Sequence, residues 1–164
     1  MSFRELRRKK QLLSEEETVE ILKRNTSGTL ACSGDDDYPY AVPMSYVYAD
    51  GKIYFHCAVT GHKLDAIKRN SKVSFCIIDK DDIVPEKITT FYRSAIVFGK
   101  IKIIEEPTQK RNILETLAKK YSPNNDEGVE KEINTLFKVA CVLELNIDHM
   151  TGKESLELVN SKKN

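Results

Sequence analysis

The chain has 164 residues, a mass of 18.7 kDa, and 26 Lys+Arg against 25 Asp+Glu, for a formal charge of +1. That length suits one compact domain, and the balanced charge argues against a nucleic-acid binder held by phosphate attraction. Hydrophobic residues at 40% and charged residues at 31% describe a folding chain rather than a disordered one.

No apolar run is long enough for a transmembrane helix, so no membrane association is expected. The opening Met1-Ser2-Phe3-Arg4-Glu5 lacks the apolar core of a secretory leader, and a cytoplasmic protein is expected. Residues 1–13 read as an exposed lead-in, 14–155 as a single domain, and 156–164 as a frayed tail. Cys32, Cys57, Cys76 and Cys141 each lie in an apolar, strand-like run without Cys-x-x-Cys spacing. They are expected to be buried free thiols.

Ser14, followed three residues later by Glu17, is a capping-box signal for a helix that ends near Asn25. Gly28 to Ser33 reads as a short strand, and Gly34 to Asp37 as a turn. Tyr38 to Tyr48 alternates, with Val42, Met44, Tyr46 and Tyr48 on one face and Ala41, Pro43, Ser45 and Val47 on the other. Asp50-Gly51 is a hairpin turn that returns the chain through Ile53 to Ala58. Thr60 to Asn70 reads as a short helix buried through Leu64 and Ile67.

Val73 to Ile78 is the next strand, closed by an Asp79-Lys80-Asp81-Asp82 turn. Thr89 to Ile104 is long and extended, with a bend or bulge at Gly99. A helix starts at Pro107 with Ile113, Leu114, Leu117 and Tyr121 on its apolar stripe. Residues 122–128 are a loop, and Val129, Ile133, Leu136 and Phe137 mark another helix. Val139 to Ile147 is the last strand. Strands joined by tight turns imply antiparallel pairing, and a closed barrel removes exposed edges.

Dinucleotide and Walker fingerprints are absent from the sequence, as is a Gly-x-Ser-x-Gly elbow, and no metal is expected from the spacing of His56, His62 and His149. Three segments remain informative. In Phe55-His56-Cys57-Ala58-Val59-Thr60-Gly61-His62-Lys63 a strand runs through a glycine turn into a helix. Its unpaired N–H groups, with Lys63 and His62, suit a phosphate monoester. The plainer alternative is that Thr60 caps the helix and His62 and Lys63 are solvated.

Pro43, inside Pro39 to Tyr46, removes a ladder donor and marks an edge, a bulge or a ligand-facing gap. There the backbone of Met44, Ser45 and Tyr46 is available to a planar heterocycle; the plainer alternative is an ordinary edge strand. Arg93 and Ser94 interrupt the apolar run Tyr92 to Gly99, where Arg93 sits either at a rim or against a ligand.

Taken in order, Gly28-Thr-Leu-Ala31, Pro39-Tyr-Ala-Val-Pro-Met-Ser-Tyr46, Asp50-Gly-Lys-Ile-Tyr-Phe-His-Cys-Ala58, Gly61-His-Lys-Leu-Asp-Ala-Ile67, Tyr92-Arg-Ser-Ala-Ile-Val-Phe-Gly-Lys100 and Met150-Thr-Gly-Lys153 resemble the pyridoxamine 5′-phosphate oxidase-related flavoproteins. Within them the sequence is most similar to the nitroimidazole-resistance (Nim) branch, over residues 14–155. The resemblance implies a mainly β fold with peripheral helices, a six-stranded antiparallel Greek-key split β-barrel. It also implies FMN as cofactor and a homodimer with FMN at the interface.

Carried onto this chain, Met44, Ser45 and Tyr46 would line the flavin ring and ribityl chain, and His56 and Ala58 would flank it. His62 and Lys63 would hold the phosphate, and Ser94 would approach from the interface. The resemblance names no catalytic residue; His56 is the candidate by position. The chain has no tryptophan, whereas the true oxidases carry one in their C-terminal signature, so pyridoxamine phosphate oxidation is not the expected reaction. The expected function is an FMN-dependent oxidoreductase passing electrons from a small-molecule donor to a small planar acceptor such as a nitroaromatic. The alternative is a non-enzymatic flavin carrier, or a haem-binding split barrel with His56, His62 or His149 as axial ligand.

Overall fold

The computed structural model describes residues 2–163. Its seven strands are β1 (Ser27–Ser33), β2 (Pro39–Ser45), β3 (Val47–Ala49), β4 (Lys52–Ala58), β5 (Lys72–Val84), β6 (Thr89–Ile104) and β7 (Ala140–Glu154). The helices are α1 (Glu15–Arg24), α2 (His62–Arg69), α3 (Pro107–Tyr121), α4 (Asp126–Leu136) and α5 (Leu156–Ser161). The sheet is ordered β2-β1-β5-β6-β7-β4-β3, and every pairing is antiparallel.

The two ends of that order, β2 and β3, are separated in sequence by Tyr46 alone. The chain itself therefore joins the ends and closes the sheet into a barrel. Counting β2 and β3 as one strand that changes partner at Tyr46 gives the six strands expected, so the unbroken run Tyr38 to Tyr48 is corrected to two pieces. The Asp50-Gly51 hairpin has φ values of 51° and 72°, the pair of positive angles that a two-residue type I′ turn requires.

Apolar side chains fill two layers. Leu30, Met44, Tyr46, Phe55, Phe75, Val97 and Leu143 pack inside the barrel, where Phe75 meets Tyr46 and Phe55 edge-on at 5.1 Å each. Val47, Tyr54 and Val142 on the outer wall pack beneath Ile113, Leu114 and Leu117 of α3 and Val129 and Ile133 of α4. Cys32 and Cys141 are buried and Cys57 and Cys76 half-buried, all as free thiols.

Three stretches run longer than the sequence pattern indicates. Asp79 to Asp82, expected as a turn, continues β5, because Lys80 pairs with Arg93 and Asp82 with Phe91 across the hairpin. β7 continues past Ile147 to Glu154 through a register shift opposite Phe98 and Gly99. The tail expected to fray carries α5, and Leu12 of the lead-in bridges to Lys153.

Gly99 lies at the shift, and a Cβ built there would stand 2.0 Å from the Asn146 carbonyl oxygen. That neighbour is backbone held in the β6–β7 ladder and cannot step aside. Gly99→Ala is expected to destabilise the fold towards the upper end of about 1–3 kcal/mol, read as a lower midpoint in chemical denaturation.

Arg93 belongs to an ion network rather than to a ligand contact. Its Nε donates to Glu154 at 2.9 Å and its Nη1 to Asp79 at 3.2 Å. Asp79, with a side chain 6% exposed, also accepts from Arg24 at 2.6 Å and Asn25 at 2.7 Å, which ties α1 to the β5–β6 hairpin. Burial alone would raise the Asp79 carboxyl, but hydrogen bonds from Arg24, Asn25 and Arg93 hold it down at about 2.

A carboxyl depressed on folding stabilises above its unfolded value of 3.8 and loses that contribution as pH falls towards 2. Asp79→Asn is therefore expected to cost about 1–2 kcal/mol at pH 7. The difference from the parent should shrink between pH 4 and 2, a range read from the Asp79 shift, in denaturation at a series of pH values.

Candidate functional site

The partner change at Tyr46 opens a split in the barrel wall. The β3–β4 ladder ends at Val47 paired with Tyr54. Continued two residues further, that register would set Ser45 opposite His56, and two further again Pro43 opposite Ala58. There the ladder stops: β2 has turned to β1, with Ser45 across from Ser27 and Pro43 across from Thr29. Pro43 has no N–H to offer β4. Among the described residues, β2 and β4 therefore face each other without a shared ladder, and Pro43, Ser45, His56 and Ala58 are all exposed along the gap.

The backbone groups at the step are satisfied from α3. The Tyr121 hydroxyl lies 2.5 Å from Thr26 O and 2.9 Å from Tyr46 O, and accepts from Tyr46 N at 3.0 Å. Lys120 Nζ donates to Asn25 O at 2.5 Å and Tyr46 O at 3.0 Å, and stands 4.1 Å from the Tyr46 ring centroid. The Tyr46 side chain is fully buried and its hydroxyl donates to Leu22 O at 2.6 Å. Burial raises the Tyr46 phenol well above its ordinary value, so it remains protonated.

At one end of the split, β4 runs through Val59-Thr60-Gly61 into α2. Gly61 is the residue before the helix, with φ +141°, and a Cβ there would meet nothing within 4 Å. Among the described residues, no side chain caps α2, and the amides of His62 and Lys63 meet no acceptor. Thr60 therefore does not cap the helix. By contrast, Ser14, Glu106 and Asn125 cap α1, α3 and α4.

Lys63 is half-buried beside this turn. Burial pushes the Cys57 thiol up to about 11 and raises those of Cys32 and Cys141, with the nearby Lys63 charge acting in the opposite direction on all three. Cys57 and Cys141 face each other across the β4–β7 ladder, one residue before the end of β4. The His62 imidazole goes elsewhere. It lies against Tyr40 at a 4.1 Å ring separation, with Nε2 3.7 Å from Asp35 Oδ2; the other oxygen of that carboxylate, Oδ1, accepts from Arg69 at 2.8 Å.

At the other end, Ser45 and His56 form the floor of a cleft of about 350 Å³ beneath α3 and α4. Its walls are mainly apolar, with Leu117 and Ala118 from α3 and Ile133 and Leu136 from α4. The strip from this cleft past His56 and Ala58 to the turn before α2 is continuous along the outer face of β4, about 7 Å for each two residues. It runs from an apolar slot to a cationic turn with unpaired N–H groups, which suits a flat ring carrying an anionic tail.

Of the residues singled out from the sequence, Ser45, His56, Ala58 and Lys63 lie along this strip. Met44 points into the barrel core, Tyr46 is committed to Leu22, and the His62 side chain is turned to Asp35; each can offer only backbone. Even that is taken up at Tyr46, whose N–H and carbonyl are bonded to α3. Ser94, paired with Ile78 and Lys153 on β6, lies across the barrel, and one chain does not bring it to the others. His149 stacks on Phe3 at 4.8 Å. The cleft walls of α3 and α4 were visible in sequence only as helical stripes; that two stripes leave a gap between them has no local signature.

The fold is shared with solved structures of low sequence identity. A candidate 5-nitroimidazole antibiotic resistance protein from Bacteroides thetaiotaomicron is 21% identical, with a TM-score of 0.72 over 87% of this chain and 86% of that one. A conserved hypothetical protein from Mycobacterium tuberculosis is 20% identical, with a TM-score of 0.79 over 92% and 90%. A FAD and heme binding protein from Mycobacterium smegmatis is 22% identical, with a TM-score of 0.73 over 89% and 73%. No curated protein matches the chain in sequence at a significant level. The family model described as pyridoxamine 5′-phosphate oxidase matches residues 14–154, and the chain belongs to that family.

Proposed function

We propose that the protein binds FMN in the split between β2 and β4 and works as an oxidoreductase on a small planar acceptor such as a nitroaromatic. A reduced small molecule would serve as electron donor. The observation that carries this reading is the uncapped, glycine-led start of α2 with Lys63 beside it, at the end of a strip that begins in an apolar cleft. A phosphate monoester there would accept from the His62 and Lys63 amides and the Lys63 ammonium. Ser45, His56 and Ala58 would border the ring. Bound flavin would supply electron transfer between donor and acceptor, and the chain would orient it and cover one side.

Similarity to a FAD and heme binding protein supports a flavin, and similarity to a candidate nitroimidazole resistance protein supports a nitro-substituted acceptor. Because Ser94 lies across the barrel from the split, its participation requires a second copy, and we propose a homodimer in which Ser94 approaches the partner's flavin. Among the described residues, no helix is long and apolar enough to cross a membrane.

Purified protein is expected to show the absorbance of oxidised flavin. A Soret band would replace this reading with haem binding through His56, since His62 is packed against Tyr40 and His149 stacked on Phe3. Lys63→Ala is expected to weaken FMN binding by about 1.5–3 kcal/mol in a fluorescence titration; unchanged affinity would remove Lys63 from the site. His62→Ala is expected to change FMN affinity much less than Lys63→Ala, because only its backbone amide faces the phosphate.

A further inference from the structure

The two ends of the strip differ in charge, and the cleft end bears on which acceptor the protein takes. Among the described residues, no Lys or Arg lines the cleft, and Glu132 of α4 is the one acid in its wall. Lys119 and Lys131 of these helices lie outside the cleft lining, and the other cations on them are engaged elsewhere. Lys110 donates to Phe137 O at 2.6 Å, Arg111 pairs with Glu130 and bonds Asn134, and Lys120 is spent on the carbonyls of Asn25 and Tyr46. The Asn125 carboxamide accepts from Gly128 N as the cap of α4, and the Tyr121 hydroxyl is held at the strand step. What remains free to meet a ligand is apolar wall, the hydroxyls of Ser45 and Ser122, the Asn125 amide nitrogen and the His56 ring, none of them a fixed positive charge.

Resting on the flavin reading above, we infer that the α3–α4 cleft is the acceptor site and selects an uncharged, flat, apolar ring that carries no phosphate or carboxylate. An anionic ligand entering it would lose hydration, find no counter-charge, and approach the Glu132 carboxylate. The protein therefore discriminates against pyridoxamine 5′-phosphate, the substrate after which its family is described. An uncharged ring meets matching walls, with His56 and Ser45 placed to hydrogen-bond a polar substituent at the floor.

The test compares two probes, 2-methyl-5-nitroimidazole and pyridoxamine 5′-phosphate, titrated calorimetrically into FMN-loaded protein without reductant. The neutral probe is expected to bind at least tenfold more tightly; equal or tighter binding of the phosphate ester would overturn the inference. Ala118→Trp, which fills the cleft, is expected to weaken the neutral probe at least tenfold while FMN affinity stays within twofold. Loss of both would show that the cofactor itself occupies the cleft, which sinks the acceptor assignment and leaves the flavin reading intact.

Glu132→Lys, an exposed change that keeps the fold, is expected to tighten pyridoxamine 5′-phosphate at least fivefold. No change there would refute the charge argument. Should the parent bind no FMN, the flavin reading fails by itself. The neutral probe on flavin-free parent and Ala118→Trp protein then still decides whether the cleft takes such a ring.

Discussion

At Tyr46 the chain gives up β1 as a partner and takes β4, and for one residue its peptide groups belong to no strand. Unpaired polar groups in a wall this well packed would each cost a few kcal/mol. Lys120 and Tyr121, at the last turn of α3, serve the carbonyl, and Tyr121 shares the N–H with the Thr26 carbonyl. Barrel closure is thus completed from outside the sheet by a helix 75 residues further along the chain. The same bonds fix α3 over the wall, and α3 with α4 roofs the cleft. Closure and site are consequences of one step in the backbone.

That step also separates two chemistries along β4. Towards α3 the outer face is covered by apolar helix stripes, and no cation of those helices lines the cleft. Towards α2 the face opens onto amides without acceptors and an ammonium. A ligand with a flat apolar part and a charged tail is oriented by this polarity before any specific contact is considered. The ion network on the far side, from Asp79 through Arg93 and Glu154 to Lys162, fixes α1 and α5 to the barrel and leaves the split untouched.

Much of this could be read from residues. The Ser14–Glu17 capping box, the Asp50-Gly51 hairpin and the irregularity at Gly99 are local signals, and each appears where its pattern lies. Pro43 was legible as an edge, a bulge or a ligand-facing gap, and it lies on the β2 margin that shares no ladder with β4. Missed features depend on contacts without a local pattern. Asp79 to Asp82 looks like a turn because the arm carries charged residues on both faces, and the one it buries, Asp79, is buried by ion pairs. Alternation is readable only where one face is apolar. Tyr121 reads as one more apolar helix position, although its hydroxyl serves a strand far away in sequence. His62 reads as a phosphate ligand by adjacency to Lys63, yet successive helical residues point about 100° apart, and its ring finds Asp35 instead.

The sheet order has a consequence for synthesis. β7 is the strand that sits between β6 and β4, and it comes after every other strand in the chain. Until residues 140–154 leave the ribosome, β6 and β4 each present a bare edge, and the β3–β4 hairpin is tethered only through Tyr46. The nascent chain therefore waits as an open sheet with two sticky margins. β7 acts as the zip fastener, so a product stalled or truncated before it is exposed to aggregation in a way the finished barrel is not.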